Sequence, residues 1–216
     1  MRIAVLGTGG VGQTLGTRLV ETGHEVRMGS RSAGNEKAVA WVASAGDAAS
    51  EGSFRDAASW AEVVVNATSG LVSLVALEAA GTDHLAGKVL VDVANPLDFS
   101  HGFPPHVVQP EGRSLGESIQ AAFPAARVVK SLNTMNADVM VHPRSLSGAH
   151  SVFVAGDDAD AKSVVRSLLE GFGWASDEIL DVGGIAAARG LELYLPLWLD
   201  LMGAQGSPAF NIHVVR

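Results

Sequence analysis

Arg2-Ile3-Ala4-Val5-Leu6-Gly7-Thr8-Gly9-Gly10-Val11-Gly12, followed by His24-Glu25-Val26-Arg27-Met28-Gly29-Ser30-Arg31, carries the strongest structural signal in the chain. Ile3 to Leu6 is a short apolar run of strand character, and Gly7-x-Gly9-x-x-Gly12 follows it at once. A helix-compatible segment, Val11 to Thr22, and a second strand-like run, Glu25 to Met28, come next. Strand, glycine turn, helix and strand in that order specify a dinucleotide-binding unit. The glycines stand where the chain must turn tightly, admit a pyrophosphate and pack helix on sheet. Residues Gly7, Thr8, Gly9, Gly10, Val11 and Gly12 would then hold phosphate through backbone N–H groups and the positive end of the helix dipole, without a lysine. A purely structural glycine turn is the competing reading, and the strand and helix on either side argue against it.

The end of the second strand narrows the nucleotide. A site that takes NAD places Asp or Glu about 20 residues beyond the turn to bind the ribose hydroxyls. Here that place reads Gly29-Ser30-Arg31. A carboxylate would repel a 2′-phosphate, whereas a guanidinium forms paired, charge-assisted bonds to one and a serine hydroxyl supplies another. The sequence therefore favours NADP(H), with Ser30 and Arg31 as phosphate ligands and Thr8 and Lys37 within expected reach. Arg31 as an ordinary surface charge is the alternative.

The chain has 216 residues, 47% of them hydrophobic and 18% charged, which suits a compact core of one domain with or without a small appendage. A formal net charge of -8 and a pI near 5.3 argue against nucleic acid or an anionic membrane as partner. No cysteine is present, so disulfides, thiol nucleophiles and thiolate metal sites are excluded. The apolar run before Gly7 is too brief for a secretory signal, and a cytoplasmic location is expected. Leu191 to Gly203 is strongly apolar but is interrupted by Glu192, Pro196 and Asp200, so it reads as a buried or subunit-facing helix, not a membrane span.

Strand-like runs recur at Val63 to Ala67, Val89 to Val93 and Arg127 to Leu132, with helices expected over Glu36 to Ala45, Leu71 to Ala80 and Ser114 to Phe123. Gly52 to Phe54 reads as a further short strand. This alternation predicts an α/β fold: a Rossmann-like, doubly wound parallel sheet. The loop from Asn95 to Gly112 is long, rich in proline, histidine and glycine, and suited to covering a ligand. Beyond His142-Pro143-Arg144 the pattern predicts a strand (Ser151 to Ala155), a helix (Asp158 to Glu170), a strand (Trp174 to Asp181) and a long apolar helix (Gly184 to Gly203). The expected organisation is a Rossmann domain over residues 1–145 and a small C-terminal α/β lobe over 146–216. That lobe would cover the substrate and, through its apolar helix, form a homodimer.

In an open α/β sheet the ligand lies beyond the carboxyl ends of the strands. Three small, polar, uncharged clusters stand there: Asn66-Ala67-Thr68-Ser69-Gly70, Ala94-Asn95-Pro96-Leu97 and Asn133-Thr134-Met135-Asn136. Such groups orient a carboxamide or a heterocycle and leave room for two rings to stack. Thr68 and Ser69 are equally natural as helix caps. Reduction of a carbonyl needs a proton donor, and no convincing one appears. Tyr194, the only tyrosine, has no lysine four residues on, and Lys130 lies inside a strand run. The seven histidines are scattered, and no metal site is expected. Hydride passed between two redox rings needs stacking at the right distance and no protein acid or base, so no catalytic side chain is assigned.

Met-Arg-Ile-Ala-Val-Leu-Gly7-Thr8-Gly9-Gly10-Val11-Gly12, Gly29-Ser30-Arg31, Val128-Val129-Lys130-Ser131-Leu132-Asn133-Thr134 and Asp181-Val182-Gly183-Gly184 with Arg189-x-x-Glu192 together resemble the F420-dependent NADP oxidoreductases. The cofactor module of that family is also similar to that of the six-transmembrane metalloreductases. The resemblance implies a Rossmann domain, a small C-terminal domain closing over the site, and hydride transfer between nicotinamide C4 and deazaflavin C5. By position it places Thr8, Ser30 and Arg31 on the 2′-phosphate, Thr68, Ser69, Asn95, Pro96 and Leu97 near the nicotinamide, and Asn133 and Met135 against the deazaflavin. Asn133 stands where an archaeal branch has histidine, and Thr68-Ser69-Gly70 replaces a more apolar turn. Coenzyme F420 is thus the expected second substrate. The alternatives are a flavin, quinone or ferric reductase, and a non-catalytic NADP(H)-binding regulator.

Overall fold

The computed structural model describes residues 1–109 and 112–215. Its strands are β1 (Arg2–Leu6), β2 (Glu25–Ser30), β3 (Ala49–Ser53), β4 (Val63–Asn66), β5 (Val89–Asp92), β6 (Leu97–Asp98), β7 (His106–Val107), β8 (Arg127–Ser131), β9 (Val152–Ala155) and β10 (Ile179–Asp181). The α-helices are α1 (Gly10–Glu21), α2 (Glu36–Ala45), α3 (Phe54–Trp60), α4 (Ser73–Ala80), α5 (Thr82–Leu85), α6 (Leu115–Ala122), α7 (Ala137–Val141), α8 (Ala159–Phe172), α9 (Ala188–Leu193) and α10 (Leu195–Gln205). Eight strands form one sheet in the order β10-β9-β8-β5-β4-β1-β2-β3. All neighbours run parallel except β8 and β9. The chain leaves β1 towards β2 on one side and returns to β4 on the other, which opens a crevice at the carboxyl ends of β1 and β4.

Strand side chains alternate between two cores, as a sheet covered on both faces requires. Ile3, Val5, Val63, Val65, Val89 and Val91 pack with α1 and α8 residues such as Leu15, Leu19, Val165 and Leu169. Ala4, Leu6, Val64 and Leu90 face the other way, into Phe54, Leu77, Ile119 and Phe123.

The α/β doubly wound architecture agrees with the alternation in the sequence, and several local expectations do not. Residues 146–216 make no sheet of their own: Lys130 pairs with Ala155 and Ser131 with Val154, so β9 and β10 extend the sheet that begins with β1. The expected boundary at 145/146 thus falls between strands hydrogen-bonded to one another. The single helix expected over Gly184 to Gly203 is a 3-10 turn (Ile185–Ala187) followed by α9 and α10, with Pro196 in the first turn of α10. Proline has no N–H for the preceding turn, and its ring clashes with the carbonyl four residues back. Only Ile179–Asp181 of the strand expected from Trp174 is extended, because the Trp174 indole turns inward to donate to the Met140 carbonyl at 2.9 Å. The strand expected at Gly52 to Phe54 is Ala49–Ser53, and Phe54 begins α3 instead. Ser53 and Asp56 close a reciprocal cap that starts the helix there. The long loop after β5 contains a small antiparallel pair, β6 with β7; its residues 110–111 lie outside the described residues.

A buried charge cluster ties the strand ends together. Lys130, on β8 and without solvent exposure, donates to Asp92 Oδ2 at the end of β5 (2.8 Å) and lies 3.0 Å from Glu192 Oε1 of α9. It also donates to the Ala94 carbonyl. Burial opposes the ammonium charge, yet the Asp92 and Glu192 carboxylates outweigh it and hold Lys130 above the ordinary lysine range. Glu192 further accepts from the first N–H groups of α6, Leu115 N at 2.9 Å and Gly116 N at 3.1 Å, where the helix dipole offsets the surplus negative charge. Lys130→Met should lower the unfolding free energy by about 3–5 kcal/mol in urea denaturation, because two buried carboxylates would lose their common counter-ion.

Candidate functional site

The glycine turn is shaped by close approach. Gly7 has φ +122°, and a side chain there would collide with the Ala67 carbonyl that follows β4. A side chain at Gly12 would strike the Gly7 carbonyl, so the first turn of α1 rests directly on the loop. Gly9 differs: nothing lies within 4 Å of the position its Cβ would take. Gly9 is also the N-cap residue of α1 and offers no side-chain cap, so the first N–H groups of α1 face open space. This cradle fits a pyrophosphate bound by backbone donors.

Two cavities open on either side of the Ala67-Thr68-Ser69 segment. The first, of about 560 Å³, runs from Gly7, Thr8 and Gly9 past Ser30 and Arg31 to α4. Arg31 is the one ionisable side chain in its wall, and it pairs with no carboxylate among the described residues. Ser30 is the last residue of β2 and is 5% exposed; its hydroxyl donates to the Ser32 carbonyl at 2.6 Å, so its lone pairs are what it presents. The second cavity, of about 320 Å³, is bounded by Val11, Asn95, Leu97, Phe99, Met135 and Met140 and shares Ala67, Thr68 and Ser69 with the first. Among the described residues no ionisable side chain lines it.

The structure therefore brings together Gly7, Thr8, Gly9, Ser30, Arg31, Thr68 and Ser69 around the first cavity, and Val11, Thr68, Ser69, Asn95, Leu97 and Met135 around the second. Gly10 and Gly12 lie in the opening turn of α1. Three expected residues stand elsewhere. Lys37 is exposed on α2 outside the first cavity wall, and Asn35 takes the wall position there; Asn35 Oδ1 caps α2 through the N–H groups of Lys37 and Ala38. Pro96 lies behind the second cavity, where its peptide with Asn95 packs against Gly70 too closely for any Cβ. Asn133 is 2% exposed and sits one layer back. Its Nδ2 donates to Asn95 Oδ1 (3.0 Å) and to the Leu191 carbonyl (3.1 Å), while Asn95 Nδ2 donates to the Asn133 carbonyl (2.8 Å). Asn133 thus aims Asn95, and the chain reaches it through Leu132, held at φ +65°. A left-handed leucine is strained backbone of the kind found at ligand sites.

Neither Thr68 nor Ser69 caps a helix with its side chain: the 3-10 turn Gly70–Val72 and α4 both begin without one. Thr68 Oγ1 instead donates to Asn66 Oδ1 at 2.7 Å. The sequence reading also missed one wall of the first cavity, formed by Val72, Val75, Ala76 and Ala79. Their spacing is that of a single helix face, and Val72 and Val75 are 51% and 67% exposed, an apolar surface suited to the flat side of a base. Phe54, Phe99, Ala137 and Met140 carried no signal of their own. Among the described residues neither cavity wall includes a residue beyond Met140.

Residues 2–96 match the family model for the NADP oxidoreductases that are coenzyme F420-dependent. The chain is 49% identical to the crystal structure of a provisionally named F420-dependent NADP-reductase from Arthrobacter sp. FB24, with a TM-score of 0.94 and all of both chains covered. It is 29% identical over 220 residues to the F420-dependent NADP reductase of Methanothermobacter marburgensis, which covers 93% of this chain and 92% of that protein. It is 32% identical over 208 residues to the metalloreductase STEAP3 of Rattus norvegicus; the match takes in 91% of this chain and only 38% of the rat protein. No helix among the described residues is long and apolar enough to cross a membrane. The chain belongs to the F420-dependent NADP oxidoreductase family, as an NADP-dependent oxidoreductase.

Proposed function

We propose that the protein passes a hydride directly between NADPH and a deazaflavin, coenzyme F420, both rings lying in the second cavity. The observation that carries this reading is the wall of that cavity, which among the described residues is apolar or neutral and includes no ionisable side chain to give or take a proton. NADP(H) would supply the hydride at its nicotinamide C4, and a deazaflavin would receive it at C5. The chain's own part is placement. Gly7, Thr8, Gly9, Gly10, Val11 and Gly12 hold the pyrophosphate, Arg31 holds the 2′-phosphate together with Ser30, whose hydroxyl turns from the Ser32 carbonyl to donate to it, and the apolar face of α4 supports the adenine. Thr68, Ser69 and Asn95 orient the carboxamide, while Leu97, Met135 and Met140 shape the chamber and exclude water; Pro96 and Asn133 act through Asn95, and Lys37 adds positive charge from α2. Placement of this kind is sufficient for transfer between two rings.

A second acceptor class is favoured by one finding, the similarity to a relative named as a metalloreductase. On that reading a flavin or a ferric chelate takes the deazaflavin's place in the same chamber. Mixing the protein anaerobically with NADPH and, separately, with F420, FMN and ferric citrate separates the two. We expect nicotinamide absorbance to fall with F420 at a rate at least about tenfold above the others; fast turnover of FMN or iron with none of F420 overturns the deazaflavin reading, and no turnover with any acceptor leaves a binding protein.

Arg31 is the residue on which nucleotide choice depends. A charge-assisted bond contributes about 1.5–3 kcal/mol, so Arg31→Ala should weaken NADPH binding about 10–100-fold. NADH binding should change by less than about threefold, and calorimetric titration of both nucleotides checks the contrast.

Residues 146–216 are assigned a second role, self-association through α10. Leu193 and Leu197 are 51% and 54% exposed, and a second copy would cover them. Sedimentation at micromolar concentration should show a dimer, and Leu197→Glu should shift it to monomer.

A further inference from the structure

Below the floor shared by the two cavities lies a line of buried polar groups that the placement of rings alone does not require. Asp92 ends β5 with no solvent exposure, and every group in contact with it is a donor: Lys130 Nζ at 2.8 Å, Asn66 Nδ2 at 2.9 Å and the Ala94 N–H at 3.2 Å. It therefore serves only as an acceptor. Asn66 ends β4, also fully buried, and its amide has one orientation open to it. The NH2 must face the Asp92 carboxylate, because a carbonyl oxygen there would confront another acceptor. Asn66 Nδ2 also donates to Ser73 Oγ at 3.0 Å. The amide oxygen is thereby turned towards Thr68, whose hydroxyl donates to it at 2.7 Å and whose backbone N–H lies at 3.4 Å. Thr68 has one hydroxyl proton, and it is committed inward. Ser73, 2.9 Å from Thr68 Oγ1, accepts from Asn66 and has the Ser69 carbonyl at 3.2 Å as an outlet for its own proton. Thr68 is consequently left with lone pairs alone for whatever occupies the cavities it lines.

We propose that Asn66, oriented by the Asp92–Lys130 ion pair, is a positioning residue that makes Thr68 an obligate hydrogen-bond acceptor, so that the site selects a ring bearing a primary carboxamide over the same ring bearing a carboxylate. The amide NH2 donates to Thr68 Oγ1. A carboxylate brings only lone pairs to the same point, meets lone pairs there, and lacks a cation in the second cavity to offset its charge. A site built to pair one polar group rejects the analogue that leaves it unpaired far more strongly than an apolar pocket does. The proton order is set from below by Lys130, the residue that also fastens β5 and β8 to α9.

The proposal rests on NADP(H) occupying the two cavities, and a binding experiment tests the two claims apart. Oxidised NADP and its acid analogue, nicotinic acid adenine dinucleotide phosphate, are titrated calorimetrically into the wild-type protein, Thr68→Val, Thr68→Ser and Asn66→Leu, each first checked for a cooperative thermal melt. The wild type should prefer the amide at least about tenfold. Thr68→Val, which keeps the shape and removes the acceptor, should bring the ratio to within about threefold, and Thr68→Ser should restore it. Asn66→Leu should lower the ratio although Thr68 is intact, because the hydroxyl is then free to rotate and donate. A merely structural part for Asn66 would weaken both ligands alike and keep the ratio, which overturns the proposal. Equal wild-type affinities, or selectivity undiminished in Thr68→Val, overturn it also while leaving the nucleotide site standing. Failure of both nucleotides to bind overturns the nucleotide site and the proposal with it. Should Asn66→Leu not fold, the two Thr68 variants decide the question.

Discussion

The ammonium of Lys130 is the constraint on which the rest of this site depends. It lies without solvent between Asp92 and Glu192, so that one cation holds two carboxylates contributed by β5 and α9. Buried ion pairs are poor evidence for net stability, since desolvation cancels much of the attraction. Their geometry is demanding, however, and with Lys130 on β8 it fixes the relative positions of five elements: Asp92 reaches Asn66 at the end of β4, and Glu192 reaches the first N–H groups of α6. The polar floor beneath both cavities inherits its arrangement from that one charge.

Above the floor, shape is set by what is missing. Gly7, Gly12 and Gly70 are each in contact with backbone from another segment at a distance that no Cβ could share. These contacts draw the β1–α1 turn, the loop after β4 and the loop after β5 into a continuous surface, leaving open space over Gly9. Phosphate side and ring side are thereby placed along one crevice, with Ala67-Thr68-Ser69 as the ridge between them. On the proposed reading, Arg31, the one ionisable side chain among the described residues of the first cavity, would hold the nucleotide by charge, and the neutral second cavity would place its reactive end by shape.

The legible part of the molecule was the part encoded locally. Strand β1, the glycine turn, α1 and β2 follow from periodicity and spacing, and Ser30 with Arg31 follows from their place at a strand end. The α4 face formed by Val72, Val75, Ala76 and Ala79 was readable in principle, since its spacing is helical, but nothing in a sequence says which face of a helix borders a cavity. Lys37 was misplaced for the converse reason. It is close to Arg31 along the chain, yet the first turn of α2 is oriented by the Asn35 cap, and Lys37 stands outside the wall. Asn133 was recognised as polar and post-strand, but its distance from the cavity depends on Asn95 and on the Leu191 carbonyl, 58 residues further along the chain.

Local pattern was enough to specify a doubly wound α/β chain with a glycine turn after β1 and an arginine, not a carboxylate, just past the end of β2, because turn geometry, strand alternation and the charge of one side chain are properties of neighbouring residues. Long-range packing settles that the C-terminal strands join the first sheet, that the apolar helix breaks at Tyr194, two residues before Pro196, and that Lys130, Asp92, Glu192 and Asn66 form one buried system. Pairing of strands and pairing of buried charges are satisfied by groups tens of residues apart, and which groups meet is settled by how the layers pack, which local pattern does not record.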